Sequence, residues 1–204
     1  MPPSSHRSDS GEPDGRRPAP RSRQRSSPSV RWHGFLVVAV TSSLDIAVQK
    51  RRHEFIPGHT ILARNAAALP VPVGGRQLIP DQLFALKYPD CYRAFLLEFD
   101  RGTEPLRSAK HCKSLQRSIK LYREMFVTEA HRRYFGLRAN TLVLWVFDAP
   151  RRMARFDEIA RAEAGEYAGR FLAKVLPGSA RWREMAAFQD VPWMSCGGET
   201  ELVL

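Results

Sequence analysis

The order of helical and extended patterns along the chain predicts an α/β domain with a mixed central sheet flanked by helices. Three observations carry this expectation. "YRAFLLEFD" at 92–100 reads as a strand. Leu115, Ile119, Tyr122 and Phe126 recur at three- and four-residue steps, the buried stripe of an amphipathic helix. "NTLVLWVFDA" at 140–149 is a continuous apolar run, the pattern of a central strand covered on both faces.

The remaining elements follow in chain order. Residues 1–31 are Ser, Pro, Arg and Gly with almost no apolar content, so they cannot bury enough surface to offset their ordering entropy. They are expected to form a disordered tail, in which seven arginines against Asp9, Glu12 and Asp14 leave a net charge of +4. The domain proper is expected over 32–204. "GFLVVAV" predicts a short buried segment, followed by a helix capped at Thr41 or Ser42 with Leu44, Ala47 and Val48 on one face. "HEFIPG" and "TILAR" read as short strand-like or loop pieces. "VPVGGRQLIPD" reads as two strands around a Gly74-Gly75 hairpin turn, with "QLFALKY" continuing the second. A turn at "RGT" precedes a helix from about Ala109 to Arg132. Beyond the apolar run come a helix near Ala154–Ala164, a strand in "GRFLAKV", a short helix in "SARWREMAAF" and an irregular end.

Composition narrows the function classes. With 204 residues, 43% of them hydrophobic, the chain can form one domain with a real core. A formal charge of +11 attracts polyanions, because each neutralised phosphate releases condensed counterions. Nucleic acid is therefore the expected partner, ahead of the alternative that the charge merely keeps the protein soluble. Cys91, Cys112 and Cys196 are odd in number and form no CxxC pair, which argues against a disulfide framework or zinc ribbon and fits a reducing cytoplasm. No apolar run is long enough to span a bilayer, so no membrane association is expected. His53 and His59 in "HEFIPGH" have the wrong spacing for a zinc-protease helix, and Pro57-Gly58 would break one. Both read as loop or sheet-edge residues. The glycines make no phosphate-loop pattern, and the four tryptophans read as core or surface anchors rather than stacking platforms.

Carboxylates concentrate around "LIPDQLFALKYPDCYRAFLLEFDRGTEPL" (78–106). Alternate side chains on a strand share a face about 6 to 7 Å apart, so Leu96, Glu98 and Asp100 point one way while Phe95, Leu97 and Phe99 point the other. If the strand holding Asp81 lies alongside, three carboxylates converge at one sheet edge. Two charges about 6 Å apart repel by roughly 3 kcal/mol at an effective dielectric near 20. Either a hard divalent cation, with Asp81, Glu98 and Asp100 as oxygen ligands for Mg²⁺, or the neighbouring Arg93, Arg101, Arg107 and Lys110 must compensate. The plainer alternative makes Asp100 the start of an Asp-Arg-Gly-Thr turn, Glu98 the partner of an arginine, and Asp81 an exposed turn residue after Pro80. Arg132-Arg133 and Arg151-Arg152 could join a basic face nearby or be solvated helix ends.

"LIPDQLFALKYPD" followed by "AFLLEFDRGTEPL" resembles the replication-relaxation family of bacterial and plasmid proteins. The resemblance extends through "SSLDIAVQKRRHEFIPGHTILAR", "HRRYFGLRANTLVLWVFDA" and the closing "PWMSCGGETELVL". That family is similar in layout to the PD-(D/E)xK restriction-endonuclease-like nucleases. The resemblance implies Asp81 as first and Glu98 as second Mg²⁺ ligand, and Asp100 stands where the nuclease motif places a lysine. Some enzymes of that kind supply the lysine from the following helix, where Lys120 is the candidate. The position at which the family's lysine is expected, counted back from Tyr122, is Ser118, and Lys120 lies about 200° round the helix from it. Relatives often carry a winged helix ahead of the sheet domain, where this chain shows only the basic tail. What the resemblance implies is a DNA-associated protein of plasmid replication or mobilisation, with replication or mobilisation proteins as further partners and Mg²⁺-dependent DNA endonuclease chemistry at Asp81, Glu98, Asp100 and Lys120. The alternative is a catalytically inactive scaffold that binds nucleic acid or a partner protein electrostatically.

Overall fold

The computed structural model describes residues 28–107, 114–177 and 188–196. The chain begins with helix α1 (Pro28–Lys50), strand β1 (Glu54–Pro57) and a two-turn helix α2 (Gly58–Arg64). A small hairpin follows, β2 (Val71–Val73) and β3 (Arg76–Leu78), and then β4 (Gln82–Lys87) and β5 (Tyr92–Asp100). Helices α3 (Leu115–Val127) and α4 (Ala130–Phe135) lead into β6 (Asn140–Phe147). Helix α5 (Pro150–Ala164) and a 3₁₀ turn at Gly165–Arg170 lead into β7 (Phe171–Val175), and β8 (Met194–Ser195) closes the sheet.

The main sheet has six strands in the order β1-β4-β5-β6-β7-β8. β4 is antiparallel to both its neighbours, β1 and β5; β5, β6 and β7 run parallel, and β8 is antiparallel to β7. Parallel neighbours need a crossover, which α3 and α4 supply between β5 and β6 and α5 supplies between β6 and β7. This is the mixed, helix-flanked sheet that the strand and helix patterns predict.

Strand alternation divides the core into two layers as read from the sequence. Phe95, Leu97 and Phe99 pack with Phe84, Leu86, Leu144 and Val146 beneath the α1 residues Leu36, Val40, Leu44 and Val48. Ala94 and Leu96 face the other way, against Ile119, Tyr122, Phe126, Phe156 and Ile159 of α3 and α5. Each such side chain contributes on the order of 1.5–3 kcal/mol by leaving water. Glu98 and Asp100 lie on this second face, near the strand's carboxyl end.

Several local expectations are revised. Helix α1 is continuous from Pro28, ahead of the expected domain start and without a cap at Thr41 or Ser42. The Thr41 hydroxyl donates to the Val37 carbonyl at 2.7 Å and the Ser43 hydroxyl to that of Val40 at 2.8 Å, so hydroxyls that could cap a new helix are satisfied inside an existing one. "TILAR" is helical in α2, whose first residue Gly58 sits so close to β4 that a Cβ there would lie 2.2 Å from the Leu83 carbonyl oxygen. The hairpin turn at Gly74-Gly75 is as expected, both glycines having positive φ. β4 does not continue β3, however. Pro80 lacks the N–H needed to extend a ladder, and the chain leaves the small hairpin there to enter the main sheet. The helix expected to Arg132 breaks at Glu129 (φ 51°), dividing α3 from α4, and its expected first turn at 109–113 lies outside the described residues. The expected helix in "SARWREMAAF" lies outside them except for Phe188, and so do residues 1–27 of the expected tail.

At the far edge of the sheet, Lys174 of β7 is buried on the α1 side. Its amine donates to the Phe188 carbonyl and sits 4.5 Å from the Phe188 ring centroid and 5.0 Å from that of Trp193. Burial pulls its pKa down to about 8, with Asp190 opposing and Arg51 reinforcing the shift. Because the unfolded chain holds this proton more tightly, Lys174 makes stability rise with pH between about 8 and the ordinary lysine value of 10.5. Lys174→Met is expected to remove that rise, which urea denaturation of both proteins across this pH interval would detect.

Candidate functional site

Asp81 immediately precedes β4, and its N–H donates to the Leu97 carbonyl of β5 at 2.9 Å. That backbone bond places the Asp81 carboxylate beside the end of β5. Its Oδ2 accepts the Phe99 N–H at 2.7 Å, and its Oδ1 lies 3.0 Å from Nε2 of His33, on the first turns of α1. The His33 ring also meets Phe99 edge-on at 5.9 Å, which fixes its approach.

Glu98 and Asp100 follow on the opposite face of the same strand end, both buried. Glu98 Oε1 accepts the Tyr122 hydroxyl of α3 at 2.5 Å, in the range of a charge-assisted O–H···O bond. Tyr122 is fully buried, and its pKa is raised well above 10, first by burial and then by the Glu98 charge. The phenol is therefore a fixed neutral donor. Asp100 starts the Asp-Arg-Gly-Thr turn as expected, accepting the Gly102 N–H on Oδ1 at 2.6 Å. Its Oδ2 accepts Nε and Nη2 of Arg152 at 3.1 and 3.0 Å, and Nη2 also reaches the Glu104 carbonyl at 2.5 Å.

All three acidic residues line one polar pocket of about 200 Å³, together with His33, Arg101, Thr103, Glu104, Ser118 and Trp145. Asp81 reaches this pocket from the α1 side, and Glu98 and Asp100 from the other face of the strand end. Among the described residues no three His, Cys, Asp or Glu side chains are grouped so that they could hold a metal ion. Lys120 does not line the pocket. It is about half exposed on the flank of α3, with its amine 3.2 Å from Glu163 Oε2 of α5. Ser118, the position where the resemblance expects a lysine, faces the pocket instead.

Compensation for the acidic charge comes partly from unanticipated directions. Of the basic residues expected to supply it, Arg101 lines the pocket, Arg93 lies at the other end of β5, Arg107 is exposed, and Lys110 lies outside the described residues. Arg152 is the half of the Arg151-Arg152 pair that turns inward. His33 carried no sequence signal, because only the tertiary crossing of α1 brings it to Asp81, 48 residues away. Tyr122 was legible as a stripe residue but not as the Glu98 donor.

A mixed six-stranded sheet flanked by helices, with a carboxylate-lined pocket at the end of its central strands, defines an α/β protein. The family model described as Replication-relaxation matches residues 8–141, more than half of the chain, and the chain belongs to that family. The match contains Asp81, Glu98, Asp100 and Tyr122, and stops short of Arg152. No curated protein and no solved structure matches the chain. Among the described residues no helix is long and apolar enough to cross a membrane.

Proposed function

We propose that this protein is a DNA-associated factor of plasmid replication or mobilisation, built on a nuclease-like sheet whose acidic pocket is held by protein donors rather than by Mg²⁺. One observation carries the reading: both oxygens of Asp81 and both of Asp100 already accept protein hydrogen bonds, Asp100 from a guanidinium. A divalent cation would have to share these oxygens with the donors of Arg152, His33 and the backbone. Among the described residues that line the pocket there is no lysine to position an attacking water; Ser118 faces the pocket and Lys120 is engaged by Glu163. The donors already on these oxygens, and a guanidinium beside Asp100 where a cation would sit, argue against Mg²⁺ at this site.

A second reading, a Mg²⁺-dependent endonuclease, is favoured by the convergence of Asp81, Glu98 and Asp100 on a single pocket. Incubation of the full chain with supercoiled and single-stranded DNA in Mg²⁺ or Mn²⁺ separates the two. The expected result is salt-sensitive binding without strand scission, unaltered by a chelator. Metal-dependent scission that vanishes in Asp81→Ala would overturn the first reading in favour of the second.

A further inference from the structure

The end of the sheet away from the carboxylates has the opposite character. β4 ends at Lys87 and β5 starts at Tyr92, joined by the turn Tyr88-Pro89-Asp90-Cys91 and closed by a Tyr88 N–H to Cys91 carbonyl bond of 2.8 Å. Within the turn the Tyr88 ring lies 5.0 Å from the His53 ring, tilted 57° to it, and its centroid is 5.7 Å from the Arg93 guanidinium. Strand alternation sets Arg93 and Tyr92 on opposite faces of β5. On the other side Tyr92 is 51% exposed, with the Lys87 amine 5.9 Å from its ring. The register sets Lys87 opposite Tyr92 and Arg93 opposite Asn140, and the exposed Arg138 lies two residues before Asn140. Exposed Arg51 and Arg52 arrive beside His53 from the end of α1. Glu54 pairs with Lys87 at 3.3 Å and Asp90 sits in the turn, leaving basic residues in excess.

We propose that this sheet end binds single-stranded nucleic acid, with Tyr92 as a stacking platform and Lys87, Arg93 and Arg138 as phosphate contacts. The inference rests on the reading of a DNA-associated protein and locates the contact. An exposed aromatic ring framed by cations suits unpaired bases, whose faces are open, whereas a duplex keeps its bases stacked on one another. Neighbouring strands lie about 4.8 Å apart, so an extended backbone crossing this end would meet Lys87 on one face of the sheet and Arg93 on the other within a short span. The position also keeps phosphates away from Asp81, Glu98 and Asp100. The eight steps from Tyr92 to Asp100 separate the two ends by about 26 Å, well beyond the Debye length of about 8 Å at physiological salt. The Lys87–Glu54 pair is no obstacle, because exposed ion pairs are weak and readily exchanged.

Fluorescence anisotropy of the full chain with a labelled thymidine oligonucleotide about 20 nucleotides long, longer than one site of this kind, tests the assignment. Tyr92→Ala is expected to weaken binding about tenfold while Tyr92→Phe retains it. Lys87→Gln with Arg93→Gln is expected to lower the slope of log affinity against log salt by about 1.4, the loss of two phosphate contacts. Unchanged affinity in all three variants, with the parent chain still binding, would place the contact elsewhere and overturn this surface alone. Equal or tighter binding of a duplex of the same length, or equal competition by polyglutamate, would overturn the single-strand assignment. If the parent chain binds no nucleic acid at low salt, the DNA-associated reading falls together with the surface.

Discussion

Replacing Arg152 with alanine is expected to destabilise the protein by about 3–5 kcal/mol, measured by urea denaturation. The Arg152 side chain is 15% exposed and that of Asp100 6%, so removing the guanidinium strands a carboxylate where water cannot replace it. One further acceptor would lose its donor, because Arg152 also caps the Glu104 carbonyl in the loop after β5. Adding Asp100→Asn to Arg152→Ala should recover part of the loss, since the stranded charge goes with its partner. The single variant should also acquire a Mg²⁺-dependent rise in Tm that the parent lacks, because the acidic pocket would then seek a cation from solvent. A loss under about 1 kcal/mol, in the range of exposed pairs, would show that Arg152 is not what offsets the pocket's charge.

Tyr122→Phe isolates the second internal partner. The ring is fully buried and packs edge-on against Trp145 at 5.6 Å and Phe171 at 6.2 Å, contacts that phenylalanine keeps. Only the hydroxyl donor to Glu98 is lost, and leaving a buried carboxylate oxygen without it is expected to cost about 1–3 kcal/mol. The alkaline limb gives an independent reading. Because the folded state raises the Tyr122 pKa above 10, this phenol's stabilisation is complete below about pH 10 and is lost as pH rises beyond it. Tyr122→Phe should lack that component of the alkaline decline, as paired denaturation curves on either side of pH 10 would reveal. Equal stability of the two proteins at neutral pH would mean that Glu98 finds another donor.

Much of this architecture is written in local patterns, and the parts that are not share a cause. Two-residue alternation in β5 foretells which face carries Phe95, Leu97 and Phe99 and which carries Glu98 and Asp100, because side-chain direction along a strand is fixed by the backbone itself. The stripe of α3 foretells Tyr122 as a core residue for the same reason. Hidden from that kind of reading are contacts decided by how elements cross: His33 on Asp81 and Arg152 on Asp100 join residues 48 and 52 apart. The break at Glu129 is also silent, since neither glycine nor proline marks it. Lys120 misleads in a different way. The family resemblance makes it the candidate lysine from the helix after β5, but its angular position on α3 directs it to Glu163.

Helix α1 has a consequence for the molecule as a machine. Its 23 residues extend about 34 Å, with His33 anchored at the carboxylate end and the chain leaving it as Arg51, Arg52 and His53 at the basic end. One rod therefore sets the alignment of both extremities. Leu36, Val40, Leu44 and Val48 mesh with the sheet like teeth in a rack, so the rod can relocate only by whole notches and not by gradual creep.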